Sequence, residues 1–191
     1  MKKFFIILTL IFGSMTWSNA EVARIFSGNE NAKITIIAYE SLTCSHCADF
    51  HKNVYPQLKK DYINTGLAKI EFRHFPLDMA AFNASKIVQC KQDQSLEILE
   101  SLYSNQQSWI KGNTVKELND NLQKYLESKG FKIDFQKCIN NKEIEDFILN
   151  DRIEGTKKFK VNATPTIIIN NKKFEKTLNY KNLKKSLEKL I

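Results

Sequence analysis

Arginine, proline, glycine and long apolar runs are all scarce in this sequence, and each scarcity excludes something. Only Arg24, Arg73 and Arg152 are arginine, so 26 of the 29 basic residues are lysine. Surfaces that read nucleic-acid sequence rely on arginine forks and clustered charge, whereas these lysines are scattered. The net charge of +8 therefore describes a lysine-coated surface, and no nucleic-acid partner is expected. Loose attraction to anionic lipid or acidic partners is left open by the same charge. Six glycines and three prolines are too few for a collagen-like or low-complexity chain. With 13 Phe, 6 Tyr and an ordinary 26% of charged residues, the chain has the material for a packed core. The longest apolar run, Phe4 to Phe12 with Thr9 inside it, has about half the ~18 residues needed to cross a bilayer.

What surrounds that run gives it a different meaning. Met1-Lys2-Lys3 precedes it, and Gly13-Ser14 and Ser18-Asn19-Ala20 follow, with small residues at the −3 and −1 positions of a cleavage site. This is the layout of a secretory signal peptide cleaved near Ala20, and no nearby cysteine offers a lipid attachment point. Excluding residues 1–20 leaves 171 residues with a charge of +6. Export would place Cys44, Cys47, Cys90 and Cys138 where disulfides persist. Cys44-Ser45-His46-Cys47 is a C-x-x-C, which leaves Cys90 and Cys138 to pair with each other. The alternative for these two is a pair of unbridged buried thiols.

Along the mature chain, Lys33 to Glu40 is β-branched and aromatic and reads as a buried strand after the turn-rich Gly28-Asn29-Glu30-Asn31. From Ser45 the apolar spacing becomes helical, with a kink predicted at Pro56 and an end at Asn64-Thr65-Gly66. Leu67 to Phe75 alternates as a second strand. A helical stretch from about Met79 to Ile153 follows, including a stripe of Val115, Leu118, Leu122, Tyr125 and Leu126. Strand character returns at Thr166 to Asn170, and Asn170-Asn171 can turn the chain into Lys172 to Glu175. A closing helix carries Tyr180, Leu183, Leu187 and Leu190 on one face. The order is β-α-β, a helical block, then β-β-α.

Strand, C-x-x-C and helix in succession put Cys44 at a helix start, where free backbone N–H groups and the helix dipole stabilise a thiolate. Cys47, one turn further in, suits the resolving role, and His46 can add positive charge or a hydrogen bond. Lowering a thiol pKa by one unit stabilises the reduced pair by ~1.4 kcal/mol, or ~30 mV, and so makes its disulfide a stronger oxidant.

With these residues in place the chain resembles the thioredoxin superfamily, and within it the exported DsbA-like proteins with an inserted helical domain. The resemblance rests on Gly28 to Ala32, on Tyr39 to His51 around the C-x-x-C, on Phe72 to Leu77, and on Ala163-Thr164-Pro165-Thr166. It implies an α/β thioredoxin fold whose first half is 21–78, with a helical domain at 79–158 and the second half at 159–191. It also implies that Pro165 is a cis-proline beside the disulfide, that Thr164 precedes it, and that both meet an extended substrate.

The activity implied is exported, periplasmic thiol–disulfide exchange, with Cys44 and Cys47 catalytic and Ser45, His46 and Glu40 in support. The implied partners are reduced or unfolded secreted proteins, with a DsbB-type membrane quinone reductase to recycle the pair. No cofactor and no metal are expected, and a monomer is expected. Two departures stand out. Family members often have an acid six positions before the first cysteine, where this chain has Ala38; Glu40 is either its replacement or a solvent-facing edge residue. Ser45 stands where the strongest oxidants have proline, and Thr164 resembles the isomerases, yet no dimerisation domain like that of the isomerases is expected. The expectation is an oxidase. The alternatives are an isomerase or reductase, a copper-handling thioredoxin-like protein with His46 or His51 as a further ligand, a peptide-binding chaperone, or a merely structural Cys44–Cys47 bridge. His51 and His74 are expected to be packing or surface residues.

Overall fold

The structure is a computed structural model that describes residues 22–191; the expected signal peptide lies outside the described residues. The run anticipated from Lys33 forms β2 (Ile34–Glu40), which is central to the sheet. It pairs in parallel with β3 (Ala68–His74), Ile34 opposite Ala68 and Glu40 opposite His74, and antiparallel with β4 (Thr166–Ile169). The short β5 (Lys172–Lys173) and β1 (Ile25–Gly28) complete a five-stranded sheet in the order β1-β3-β2-β4-β5.

β1 is absent from the sequence reading, which placed Gly28 in a turn. Four residues are too few to show alternation, and the pairing of Ile25 to Gly28 is with distant β3. Gly28 has φ of 107°, and a Cβ there would meet the Ala68 carbonyl at 2.8 Å. Asn170 and Asn171, with φ of 44° and 65°, make the expected turn, but β5 stops at Lys173 rather than Glu175.

Alternation along β2 builds two cores. Ile36 and Ala38 face the main one, where α1 (Ser45–Asn53), α2 (Tyr55–Leu58) and α9 (Tyr180–Leu187) add Phe50, Leu58, Leu183 and Leu187. Ile37 and Tyr39 face the second, with Phe75, Phe159, Val161 and Ile168. Here α8 (Lys142–Phe159) crosses the sheet at Gly155, where a Cβ would lie 2.8 Å from the Tyr39 ring. The kink predicted at Pro56 is a break at Val54, with Pro56 in the first turn of α2 and a π-helical turn, Lys59–Ile63, after it.

Between β3 and β4 lie α3 (Met79–Cys90), α4 (Ser95–Ser104), α5 (Gln106–Trp109), α6 (Val115–Ser128), α7 (Phe135–Ile139) and α8. The starts of α3, α6, α7 and α8 carry side-chain caps, and those of α4 and α5 do not. Asp78 caps α3, Asn141 caps α8, and Thr114 with Glu117 forms a reciprocal capping box on α6. Leu122, Tyr125 and Leu126 are buried as their spacing predicts. Val115 and Leu190 are exposed, because Val115 opens α6 outside the packed face and α9 ends before Leu190. Cys90, at the end of α3, is bridged to Cys138 on α7 with Cα atoms 5.5 Å apart.

Candidate active site

β2 ends at Glu40, and a four-residue loop delivers Cys44 to the N-cap of α1. The Cys44 carbonyl accepts from the N–H groups of Cys47 and Ala48 at 3.1 and 3.2 Å, which starts the helix. No acidic residue lies in the first turn, so the positive helix end is not neutralised there. Cys44 is half-buried and Cys47 fully buried, both as free thiols. Of the two sulfurs, Cys44 is the one substrate can reach.

The two thiols differ sharply in acidity. A hydrogen bond from the Cys47 thiol, then those from the Thr164 hydroxyl and the backbone N–H groups of Cys47 and His46, outweigh burial and hold Cys44 at about 5. Burial drives Cys47 strongly the other way, reinforced by its bond to Cys44 and by the charge of Glu40. At neutral pH the reduced pair is one thiolate and one thiol.

Across from Cys44 the Thr164–Pro165 peptide bond is cis, and Cys44 in its protonated form donates to the Thr164 carbonyl at 3.3 Å. The Thr164 hydroxyl is buried and makes no hydrogen bond of full geometry. A cleft of about 590 Å³ runs beside the cysteines, lined by His46, Phe50, Val54, Thr164, Pro165 and Leu178 among others. Ser45 and His46 are exposed; the His46 ring borders the cleft and makes no hydrogen bond to Cys44. Its backbone N–H, rather than its ring, supports the thiolate.

Glu40 is buried, which removes the solvent-facing alternative, and its Oε2 lies 2.9 Å from Nε2 of the equally buried His51. His74 is a core residue, 3.2 Å from the Gln89 amide, and burial lowers its pKa. Among the described residues no three His, Cys, Asp or Glu side chains come together as a metal-binding group, so His46 and His51 do not meet the cysteines in one.

Gln106 is a site residue that sequence reasoning missed. Its side-chain amide donates to the carbonyls of Leu42 at 2.8 Å and Cys44 at 3.0 Å, tying the cysteine loop to the helical block. The Thr43 hydroxyl donates to Asp78 at 2.7 Å and anchors the same loop to the start of α3. Nothing in a lone Gln or Asp signals such a contact; only the Asp78 cap was recoverable from its place before a helix. Gln106→Ala is expected to cost roughly 1–3 kcal/mol, because it strips the side-chain donor from the Leu42 carbonyl at a buried junction, while the Cys44 carbonyl keeps its helix N–H donors. In a denaturant titration this is a lower midpoint at unchanged slope; an unaltered midpoint would show the tether to be incidental.

Comparison with known proteins agrees with this geometry. The family model described as Thioredoxin matches residues 20–189. The structure of Wolbachia pipientis alpha-DsbA1 is similar with a TM-score of 0.78 and 32% identity, covering 87% of this chain and 90% of that one. Disulfide bond formation protein D of Bacillus subtilis is 24% identical over 172 residues, 85% of this chain and 74% of that protein. A Rickettsia bellii protein named for protein-disulfide oxidoreductase activity is 28% identical over 145 residues, 75% of this chain. The chain spans only 55% of that Rickettsia protein's length. A helix-start C-x-x-C facing a cis-proline, on a sheet interrupted by a helical block, thus has both its family and its structural relatives: the chain belongs to the DsbA-like proteins of the thioredoxin superfamily.

Proposed function

We propose that this chain is an exported thiol–disulfide oxidoreductase that works as an oxidase, introducing disulfides into reduced secreted proteins. The observation that carries the reading is the division of labour between its thiols, an accessible Cys44 held at about 5 and a buried Cys47 held high. A thiolate at Cys44 is a stable leaving group, so the reduced pair is favoured and its disulfide oxidises others. The relatives named for disulfide formation support the same direction.

In the forward reaction a substrate thiolate attacks the Cys44 sulfur of the Cys44–Cys47 disulfide. The Cys44–Cys47 bond breaks, Cys47 leaves and takes up a proton, and substrate is joined to Cys44. A second substrate thiolate then attacks the substrate sulfur of that mixed disulfide. Cys44 leaves as a thiolate, and two electrons have passed from substrate to enzyme. The cleft bounded by Thr164 and Pro165 holds the extended segment around the substrate cysteine. Residues 79–158 serve as the inserted helical domain, and residues 1–20 as the export signal. A DsbB-type quinone reductase returns the pair to the disulfide, and the working species is a monomer.

The test uses oxidised protein at stoichiometric amounts with a reduced, unfolded test protein. The expected result is loss of substrate thiols matched by appearance of free Cys44 and Cys47. No thiol transfer, with tight binding of one copper ion through the two cysteines, would overturn the reading.

A further inference from the structure

The excess positive charge of the chain beyond the expected signal peptide sits in its last segment. Residues 21–156 hold seventeen basic residues against nineteen acidic ones, a net charge of −2. Residues 157–191 hold ten lysines against two glutamates, a net charge of +8.

The fold gathers that segment along one side of the molecule. Lys157 and Lys158 lie in the last turn of α8, and Lys173 Nζ reaches the Lys160 carbonyl at 3.4 Å, which sets the end of α8 against β5. β5 is the lateral edge of the sheet and is itself Lys172-Lys173. Between β5 and α9 lies a shallow groove of about 500 Å³, with Ile169, Phe174 and Leu190 in its walls and Lys172, Lys173 and Lys176 around it. Ser186 and Leu190 form the helical wall, and Lys185 and Lys189, four residues apart, flank it on the solvent side. Leu190 is 45% exposed.

Little acidic charge is present to neutralise this edge. Glu154 is paired with Lys158 at 3.6 Å and Glu188 with Lys184 at 3.8 Å. Glu175 is the acid among the groove's lining residues. Among the described residues Lys160, Lys172, Lys173, Lys176, Lys185 and Lys189 form no ion pair with a carboxylate.

The chemistry of the edge selects its partner. Lysine is a compact point charge on a flexible stem, without the planar fork that grips one carboxylate or phosphate in a fixed geometry. Lysines spread over an edge therefore suit a diffuse sheet of negative charge. Their aliphatic stems can lie along an apolar groove while the ammonium groups reach outward. Lysines on an edge strand also discourage the addition of another strand, which counts against a peptide laid along β5.

We propose that the β5 edge is a docking face for an anionic phospholipid bilayer, with its lysines on the headgroup phosphates and Leu190 turned toward the acyl boundary. The face lies on the side of the sheet, whereas the C-x-x-C follows the end of β2 two strands away, so docking leaves Cys44 open to substrate.

The test is flotation of residues 21–191 with vesicles of phosphatidylglycerol and phosphatidylcholine in equal parts, or of phosphatidylcholine alone. This expected exported form contains every described residue and omits the apolar run Phe4 to Phe12, which would itself enter a bilayer. Wild-type protein should partition onto the anionic vesicles at least roughly tenfold more strongly, since one lysine near such a surface is worth about fivefold. Raising the salt from about 0.1 M to about 1 M, which shortens the Debye length from ~10 Å to ~3 Å, should abolish the difference. Lys172→Gln, Lys176→Gln, Lys185→Gln and Lys189→Gln combined should remove the preference. Lys111→Gln, Lys124→Gln, Lys132→Gln and Lys137→Gln combined, an equal change of charge at exposed positions of the helical block, should stay within about twofold of wild type, because charges far from the docked face are screened. Equal losses in the two quadruple variants would make overall charge the cause and overturn the proposal. Indifference of wild-type protein to the anionic vesicles would overturn it too, and retention by polyglutamate instead would assign the edge to an acidic protein. Alkylation of reduced Cys44 by a water-soluble reagent should run as fast on vesicles as in solution; protection of Cys44 would put the other end of the sheet against the bilayer and contradict the assigned face. Flotation involves no thiol exchange, so its failure leaves the redox reading intact.

Discussion

Cys44→Ser is expected to lose thiol transfer completely, whereas Cys47→Ala should lose oxidation of reduced proteins yet still attack a disulfide-bearing substrate and then stall. The asymmetry follows from exposure and acidity together. Cys44 alone combines access to substrate with a pKa near 5, so its serine variant has neither a nucleophile nor a leaving group at the only reachable position. Cys47→Ala keeps that sulfur but lacks the thiol that would resolve it, so with a disulfide-bearing substrate one substrate sulfur leaves as a thiolate and the mixed disulfide on Cys44 should accumulate. A second effect separates this account from one based on the helix dipole alone. The largest contribution to the low pKa of Cys44 is the hydrogen bond from Cys47. Cys47→Ala should therefore move the alkylation midpoint of Cys44 upward from about 5, and Cys47→Ser, which retains a donor, should move it less. Equal midpoints in all three proteins would mean that the helix start, not Cys47, sets the acidity.

Replacing Cys90 and Cys138 together by alanine is expected to remove about 4 kcal/mol of stability by the loop-entropy estimate, given the 48-residue separation of the bridged cysteines. The bridge ties the end of α3 to α7, within the helical block. Urea unfolding of the double variant should show the loss, while the alkylation profile of Cys44 stays where it was. A loss below about 1 kcal/mol would show that the unbridged chain already holds these helices together. A shifted Cys44 profile would show that the block controls the site more tightly than the Gln106 and Thr43 contacts suggest.

Legibility in the sequence followed the range of each interaction. β2 and α1 could be read because continuous apolar runs and helical spacing are local signals, and the C-x-x-C lies where one pattern changes to the other. The helical block was readable as helix, and three of its caps have side chains that announce a start. β1 was not, since an edge strand of four residues owes its existence to β3. In the site, both cysteines and Thr164-Pro165 stood out as motifs, yet the contacts that tune them did not. Gln106 reaches Leu42 across 64 positions, and the stacking of Tyr103 on His51 comes from a separate helix. Glu40 was visible as the nearest acid, but its partner was not, because His51 was expected only to be a packing or surface residue. Burial decided it: His51 faces inward and His46 faces the cleft.

The most direct test of the central claim, that stabilising the Cys44 thiolate makes the pair an oxidant, is its equilibrium with glutathione buffers followed across pH. Between about pH 5 and neutrality the reduced pair holds one proton, so the potential should fall by about 30 mV per pH unit, steepening to about 60 mV below pH 5 where both thiols are protonated. At neutral pH the potential should lie nearer the roughly −120 mV of strong disulfide donors than the roughly −270 mV of thioredoxin. A value near −270 mV with a slope of about 60 mV at all pH values above 5 would mean that Cys44 carries its proton in the reduced protein, and would contradict the account.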